Sequence, residues 1–337
     1  MRCDIIIPVW NQPAKTRDCI ESLKDNSGGD WRLIIIDNAS GKETRQYLEE
    51  VAASAAFPVK LIRNEENLGF IKAVNQGIAA SDAPFVCLLN NDTIVTRLWL
   101  DEMIAVAESA PDIGIVNPSS NNLGQKPAHG EPIELYAEKI RSERGRSIEL
   151  GAAIGFCMLI KRDLIKKIGV FDEIYGMGNF EDTDFSRRAA REGYRPVRAC
   201  GAYVYHRENS SFGTVRTFDE DFNRNREIFE FRWGRPKRVA YVLDRYDTNI
   251  LKRLETDSMK LARSGNRVWF FRRDKASIPS HSNIIAADLP LGSFYLNAAV
   301  KILTKKKKFS EIFVGEEKFG RFLEALSFIH KAKVRYY

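Results

Sequence analysis

Cysteine is scarce. The chain has five in 337 residues, Cys3, Cys19, Cys87, Cys157 and Cys200, and no CxxC pair. An odd number of scattered thiols builds no disulfide framework and reads as the reduced cysteines of a cytoplasmic protein. Histidine is scarcer still, at four, and a closed zinc site, which needs clustered Cys and His, is excluded. A membrane-spanning helix needs an apolar run of ~20 residues; the longest one here, about 152–160, is far shorter. The chain is therefore not expected to cross a membrane. A secretory leader is not expected either, because Cys3–Val9 already reads as a buried strand. No G-x-G-x-x-G follows that strand, which removes a nicotinamide dehydrogenase. The glycine- and arginine-rich opening loop of sugar-nucleotide-making nucleotidyltransferases is also missing, and no internal repeat is found.

What is present describes a packed protein. Hydrophobic residues at 44% and charged residues at 29% supply a real core and rule out disorder over most of the length. The length suits one large or two medium units. A formal charge of +7 suits phosphate-bearing ligands or an anionic membrane surface. It is too small to imply nucleic acid, which is not expected as a partner.

Short apolar runs alternate with helical periodicity through the N-terminal part. Asp4-Ile5-Ile6-Ile7-Pro8-Val9 is a β-branched run closed by a proline, a buried strand giving way to a loop. Leu33-Ile34-Ile35-Ile36 is a second strand, stopped by Asp37-Asn38-Ala39-Ser40-Gly41, and 59–63 and 84–89 are a third and fourth. Helix signals fall between them at 16–26, 43–53 and 69–80. Strands that are hydrophobic throughout and alternate with helices predict an α/β fold, a mostly parallel sheet with helices on both faces. Ligands of such sheets lie beyond the carboxyl ends of the strands, so the loops after Ile7, Ile36 and Leu89 should meet at one crevice. Further along, 98–110 reads as a helix, 113–117 as a strand, and the Asn-, Gly- and Pro-rich stretch 118–132 as a mobile loop.

Polar residues stand where these strands end. Asp37 is either a turn aspartate or an acceptor for a base N–H or ribose hydroxyl. Leu89 runs into Asn90-Asn91-Asp92, where Asp92 either makes an Asx turn or holds Mg²⁺ or Mn²⁺ against substrate phosphates. Glu181-Asp182-Thr183-Asp184 begins a helix. Acids there favour the helix dipole and pair with Arg187 and Arg188, but carboxylates this close also repel, which can raise a pKa and make one a usable base. His206 follows a strand at 203–205 and precedes Arg207 and Ser210-Ser211.

Taken in order, these elements resemble the family 2 inverting glycosyltransferases of the nucleotide-diphospho-sugar transferase fold called GT-A. The matching pieces are Ile7-Pro8-Val9-Trp10-Asn11, Ile35–Ser40, the run N-E-E-N-L-G-F-I-K-A-V-N over 64–75, 88–92, 151–156, Gly169-Val170-Phe171-Asp172-Glu173, 181–188 and Tyr205-His206. The rhamnosyltransferase-like branch acting on bacterial polysaccharides is the nearest in flavour. The resemblance covers about 1–230. It implies that Pro8, Val9 and Asn11 line the nucleotide pocket, that Asp37 binds base or ribose, and that Asn67, Gly69, Lys72 and Asn75 shape that pocket. Asp92 becomes the acidic ligand of the D-x-D motif, with Asn90 and Asn91 beside the donor. Asp182 becomes the base that deprotonates the acceptor hydroxyl, with Glu181 its runner-up, and His206 completes the metal or diphosphate site. The implied partners are a UDP-, dTDP- or GDP-linked sugar donor and a glycan or lipid-linked acceptor. One departure stands out. Asn90 occupies the first D-x-D position, so a non-catalytic nucleotide- or sugar-binding scaffold is the alternative.

Near 233–237 the character changes, and the expectation is a GT-A domain over 1–235 and a small α/β unit over 236–337. In the latter, 239–243 and 267–271 read as strands, and 250–263, 294–303 and 318–331 as helices. Residues 298–309 mix apolar side chains with a lysine cluster. They end as a solvated helix or touch anionic lipid, which would place the protein in the cytoplasm, peripheral on the inner face of the membrane.

Overall fold

A computed structural model describes residues 1–207, 218–244, 246–273 and 277–337; Ser210 and Ser211 lie outside the described residues. The chain divides into two compact units. The first comprises Met1–Ile148 and Ala152–Arg232, and the second comprises Glu149–Gly151 and Trp233–Tyr337. Among the described residues, no helix is long and apolar enough to cross a membrane. All five cysteines are buried free thiols.

The first unit runs β1 (Cys3–Val9), α1 (Pro13–Asn26), β2 (Trp31–Asp37), α2 (Lys42–Ser54), β3 (Val59–Arg63), α3 (Phe70–Ala79), β4 (Phe85–Leu89), β5 (Thr93–Val95), α4 (Trp99–Glu108), β6 (Ile113–Ser119), α5 (Ile133–Ile140), β7 (Ser147–Glu149), β8 (Cys157–Lys161), α6 (Arg162–Ile168), α7 (Glu181–Arg191), β9 (Arg195–His206) and α8 (Phe218–Trp233). Strands β3, β2, β1 and β4 are mutually parallel, as the unbroken apolar runs predict. Ile5, Ile6 and Ile7 are fully buried, and each such side chain stabilises the fold by about 1.5–3 kcal/mol. They alternate between two layers. Ile5 and Ile7 share a core with Cys19 and Leu23 of α1 and with Leu48 of α2. Ile6 faces the other way, where Gly77 of α3 packs directly onto it. At the strand's start, buried Asp4 binds Arg32 through two hydrogen bonds of 2.8 and 2.9 Å and accepts from Ser81 Oγ at 2.6 Å. Burial opposes its charge, but these donors outweigh that and lower its pKa.

The sheet continues beyond β4 in the order β8-β6-β9-β5, with β7 alongside β9. β8 is antiparallel to both β4 and β6, and β5 is antiparallel to β9. This half departs from the alternating pattern because 120–156, between β6 and β8, contributes the short helix α5 and the three-residue strand β7. Pro8 does not end β1; the strand runs one residue further, with Val9 paired to Asp37.

The second unit has its own parallel sheet. It is built from β10 (Arg238–Leu243), α9 (Thr248–Arg263), β11 (Arg267–Arg272), β12 (Ile284–Asp288), α10 (Phe294–Thr304), β13 (Glu311–Val314), α11 (Glu317–Ala325), α12 (Ser327–His330) and β14 (Lys333–Tyr336). The strand order β12-β11-β10-β13-β14 reverses direction at β10, a doubly wound arrangement. β10 is buried along its length, with Ala240 and Val242 facing α10 and α11 and Val239, Tyr241 and Leu243 facing α9. The long helix anticipated over 318–331 is broken, because Leu326 leaves α11 and buried His330 turns back to Leu323 O at 2.9 Å.

Candidate active site

The ends of β1 and β2 are clasped before any ligand is considered. Val9 and Asp37 are register partners, and Val9 O accepts from Asn38 N at 2.8 Å. Asn11 takes a left-handed φ of 56°. From there its Oδ1 accepts from Gly41 N at 2.8 Å while its N donates to Ser40 Oγ at 2.9 Å. Asp37 is buried, accepting from Ser40 N at 2.9 Å through Oδ1 and paired with Arg63 through Oδ2. Its two oxygens thus serve the turn and one arginine. The Val9 side chain is in the core, and only Pro8 and the main chain remain at the strand end.

A second clasp joins the β2 and β3 loops. Asn38 Nδ2 donates to Asn67 Oδ1 at 2.8 Å, and Asn38 Oδ1 accepts from Asn64 Nδ2 at 3.0 Å and Leu68 N at 3.1 Å. Asn67 Oδ1 also accepts from Gly69 N at 3.0 Å. Gly69 needs to be glycine: its φ is 83°, and a Cβ would stand 2.8 Å from Met177 Sδ. Asn75 is turned to a different loop, donating to Phe171 O at 2.9 Å and accepting from Phe171 N at 3.1 Å. Lys72 is exposed on α3. Asn64 and Asn38 carry as much of this network as Asn67, and a polar loop sequence gives no sign of which amide is central.

The catalytic-looking groups gather elsewhere on the same unit. The antiparallel pairing of β5 with β9 sets Thr93 opposite His206, which brings His206 Nε2 to 3.0 Å from Asp92 Oδ1 although 114 residues separate them. Asn121 grips the His206 backbone on both sides at 2.8 Å, Asn122 meets Nδ1, and the Phe156 ring stacks on the imidazole at 5.1 Å. The stretch expected to be a mobile loop thus begins as a fixed support for His206. Asn90 faces this space and Asn91 does not, its Nδ2 donating to Thr16 Oγ1 at 2.9 Å.

Glu181 and Asp182 open α7 after two left-handed residues, Asn179 and Phe180. They stand with Asn90, Asn122, Gly155, Phe156 and His206 around a cleft of about 350 Å³. Asp182 Oδ2 accepts from Gly155 N at 3.0 Å, and Oδ1 accepts from Thr183 N at 2.6 Å and Thr183 Oγ1 at 3.1 Å. The loop that carries Gly155 is held by buried Asn117, which donates to Ile154 O at 2.8 Å and accepts from Ile154 N at 3.0 Å. Glu181 is buried, and its Oε2 has no hydrogen-bond partner among the described residues. Burial, reinforced by the charge of Asp182, pushes its pKa up to about 8. Burial also raises Asp182, against the pull of its donors. Asp184 belongs to a structural set: it is fully buried and paired with Arg188 at 2.9 Å and Arg232 at 2.8 Å. A second cleft of about 690 Å³, bordered by Lys126, Glu131, Tyr205 and Arg207, meets the first at His206.

Asp92 Oδ1 and His206 Nε2 hydrogen-bond each other, and an ion held by this carboxylate and imidazole would take the place of that bond. Among the described residues, no third His, Cys, Asp or Glu joins them. Two protein donors beside open space fit Mg²⁺ or Mn²⁺ shared with substrate phosphates, and do not fit a closed zinc site.

Comparison with known proteins agrees with this architecture. The family model described as glycosyl transferase family 2 matches residues 4–169. The chain is 28% identical over 214 residues to the N-acetylglucosaminyl-diphospho-decaprenol L-rhamnosyltransferase of Mycobacterium tuberculosis, covering 54% of this chain and 68% of that protein. It is 26% identical over 250 residues to the uncharacterised protein y4gI of Sinorhizobium fredii, covering 68% of this chain but only 27% of that much longer relative. The mannosyltransferase PcManGT of Pyrobaculum calidifontis, solved with GDP-Man and Mn²⁺, shares the fold at a TM-score of 0.53 and 14% identity, covering 97% of this chain and 80% of that one. Residues 4–169 form a glycosyl transferase family 2 domain.

Proposed function

We propose that this chain transfers a glycosyl group from a nucleoside-diphosphate sugar to an acceptor hydroxyl, with inversion at the anomeric carbon. The observation that carries the reading is the shared cleft. His206 and the Glu181–Asp182 pair border one cavity beside the strand ends, and Asp92 is tied to it through His206 at 3.0 Å, so three separate stretches of chain meet there. The nucleotide belongs at the ends of β1 and β2, where the main chain around Pro8, Asn11 and Asn67 is already fixed. Asp92 and His206 would hold Mg²⁺ or Mn²⁺, which when bound offsets the charge growing on the departing diphosphate. The solved mannosyltransferase is in complex with GDP-Man and Mn²⁺, which supports a nucleotide-sugar donor and a divalent ion.

The proton is handled by the acidic pair. Glu181, with its raised pKa, keeps the pair's proton at neutral pH, and the three donors on Asp182 leave that group as the carboxylate. Asp182 accepts the proton of the acceptor hydroxyl as its oxygen attacks the anomeric carbon, and the bond to the diphosphate oxygen breaks on the opposite face. One displacement inverts the centre without a covalent enzyme intermediate. This differs from the paired carboxyls of glycosidases, which flank a glycosidic bond. The relative from Mycobacterium tuberculosis is named for an acceptor on a diphospho-lipid, which supports a glycan or lipid-linked hydroxyl here.

Calorimetric titration with UDP, GDP and dTDP, each with and without Mn²⁺, tests the reading. Metal-dependent binding of one nucleotide is the expected result. A folded chain that binds none of them in either condition is a scaffold and not a transferase.

A further inference from the structure

We propose that the outer face of α10, α11 and α12 in the second unit is a docking surface for an anionic lipid bilayer. The inner faces of these helices are ordinary. Ala298, Ala299 and Ile302 of α10 and Phe319 and Leu323 of α11 are buried against the sheet. The outer faces ought to be polar on a surface that meets only water. Instead Leu296 is 68% exposed, Val300 49%, Phe322 48% and Phe328 73%. The helices that carry these side chains are neighbours. α12 packs on both α10 and α11. Phe319 links Tyr295 of α10 at 4.9 Å to Phe322 at 6.1 Å. Exposed apolar side chains gathered on three adjacent helices mark an interaction surface, whereas single exposed apolar residues do not.

Charge decides the occupant. Residues 289–310 contain five lysines, Lys301 and Lys305–Lys308, and no carboxylate. Lys305 lies over the Trp269 ring at 4.4 Å, and Lys308 donates to Leu303 O at 2.7 Å. Lys301, Lys306 and Lys307 are exposed. A twofold contact between two copies through this patch would bring both lysine clusters into one interface, and the added like charge opposes it. On α11, Glu317 and Glu324 are balanced by Lys318 and Arg321, so the excess charge of the face is the lysine cluster at the end of α10. Protruding Leu, Val and Phe side chains beside such a cluster match the boundary between acyl chains and anionic headgroups. The inference does not depend on the transferase reading.

The test is flotation of the full chain with vesicles of phosphatidylglycerol and phosphatidylcholine in equal parts, against vesicles of phosphatidylcholine alone. The chain should float with the anionic vesicles, lose binding as salt is raised, and stay unbound with the neutral ones. Lys306→Glu and Lys307→Glu should each weaken partitioning at least about fivefold. Leu296→Glu with Phe328→Glu should abolish it. All four positions are exposed, so the variants should keep the parent's thermal transition. Absence of binding to anionic vesicles at low salt overturns the proposal. So does binding that survives Leu296→Glu with Phe328→Glu, which would mean basic residues elsewhere. A concentration-dependent dimer that the same pair of substitutions dissolves also overturns it, in favour of a second copy. Nucleotide titration of each variant keeps a failure here separate from a failure of the proposed chemistry.

Discussion

The two neighbouring carboxyls at the start of α7 differ in what holds them. Asp182 receives three hydrogen bonds from Gly155 and Thr183, while Glu181 is buried with one oxygen unmatched among the described residues. Asp182→Asn tests the assignment of the base. Asparagine still presents an oxygen to Gly155 N, so the loop and the fold should persist, and nucleotide affinity should stay at the parent value. Turnover should fall by about a hundredfold to ten-thousandfold, the range for loss of a general base. Near-normal turnover would remove Asp182 from the role. The sequence shows that acids stand here; it does not show which one is ionised, because that depends on the donors each receives from distant backbone. His206 is a similar case. One histidine after a strand carries little information alone, and its position opposite Asp92 follows from the β5–β9 register. Asn121 and Asn122, which hold it, lie in a stretch whose composition suggests only a loop.

At the scale of elements, legibility follows burial. β1 and β2 carry isoleucine runs and β4 is apolar throughout, all three are buried on both faces, and those runs are visible in the sequence. β5, with three residues, and β13 and β14, with four each, are too short to show a period, and β12 and β14 are edge strands with exposed positions. Packing between elements is harder still to read. Gly77 sits inside α3, where alanine is intrinsically better by about 1 kcal/mol. An added Cβ, however, would fall 2.3 Å from Ile6 Cγ2 and 3.2 Å from its Cγ1 and Cδ1. Ile6 is fully buried on the central strand and has no room to yield. Overpacking of this kind costs about 1–3 kcal/mol, so Gly77→Ala should lower the urea midpoint despite the better helix former. In an Ile6→Ala background the same substitution should cost much less, since the two residues touch and their effects should not add. Equal costs in both backgrounds would show that α3 moves away from the sheet.

At the scale of the whole molecule, the two units carry buried groups that respond to pH in opposite directions. In the first unit, Glu181 has a pKa of about 8 against an ordinary 4.5. Across that window the folded state keeps a proton that the unfolded chain releases, so stability falls as pH rises, by at most about 1.4 kcal/mol per pH unit. In the second unit, His281 is buried, with Nδ1 accepting from Asn283 N at 3.0 Å. Burial holds its pKa below 6.5. There the unfolded chain takes up the proton first, so stability is complete above 6.5 and is lost as pH falls through that value towards the folded pKa. Glu149, counted with this unit, is bound to Arg263 at 2.7 and 2.9 Å and stands 3.9 Å from His281 Nε2. Hydrogen exchange read separately on β1 with β4 and on β10 with β11, corrected for the intrinsic rate, resolves the two. Between about pH 5 and 6.5, protection should decline in the first pair of strands and increase in the second. Glu181→Gln should flatten the first trend and leave the second unchanged. Trends of the same sign in both pairs would mean that neither buried group governs its unit, and that the surface charge of the chain sets the response instead.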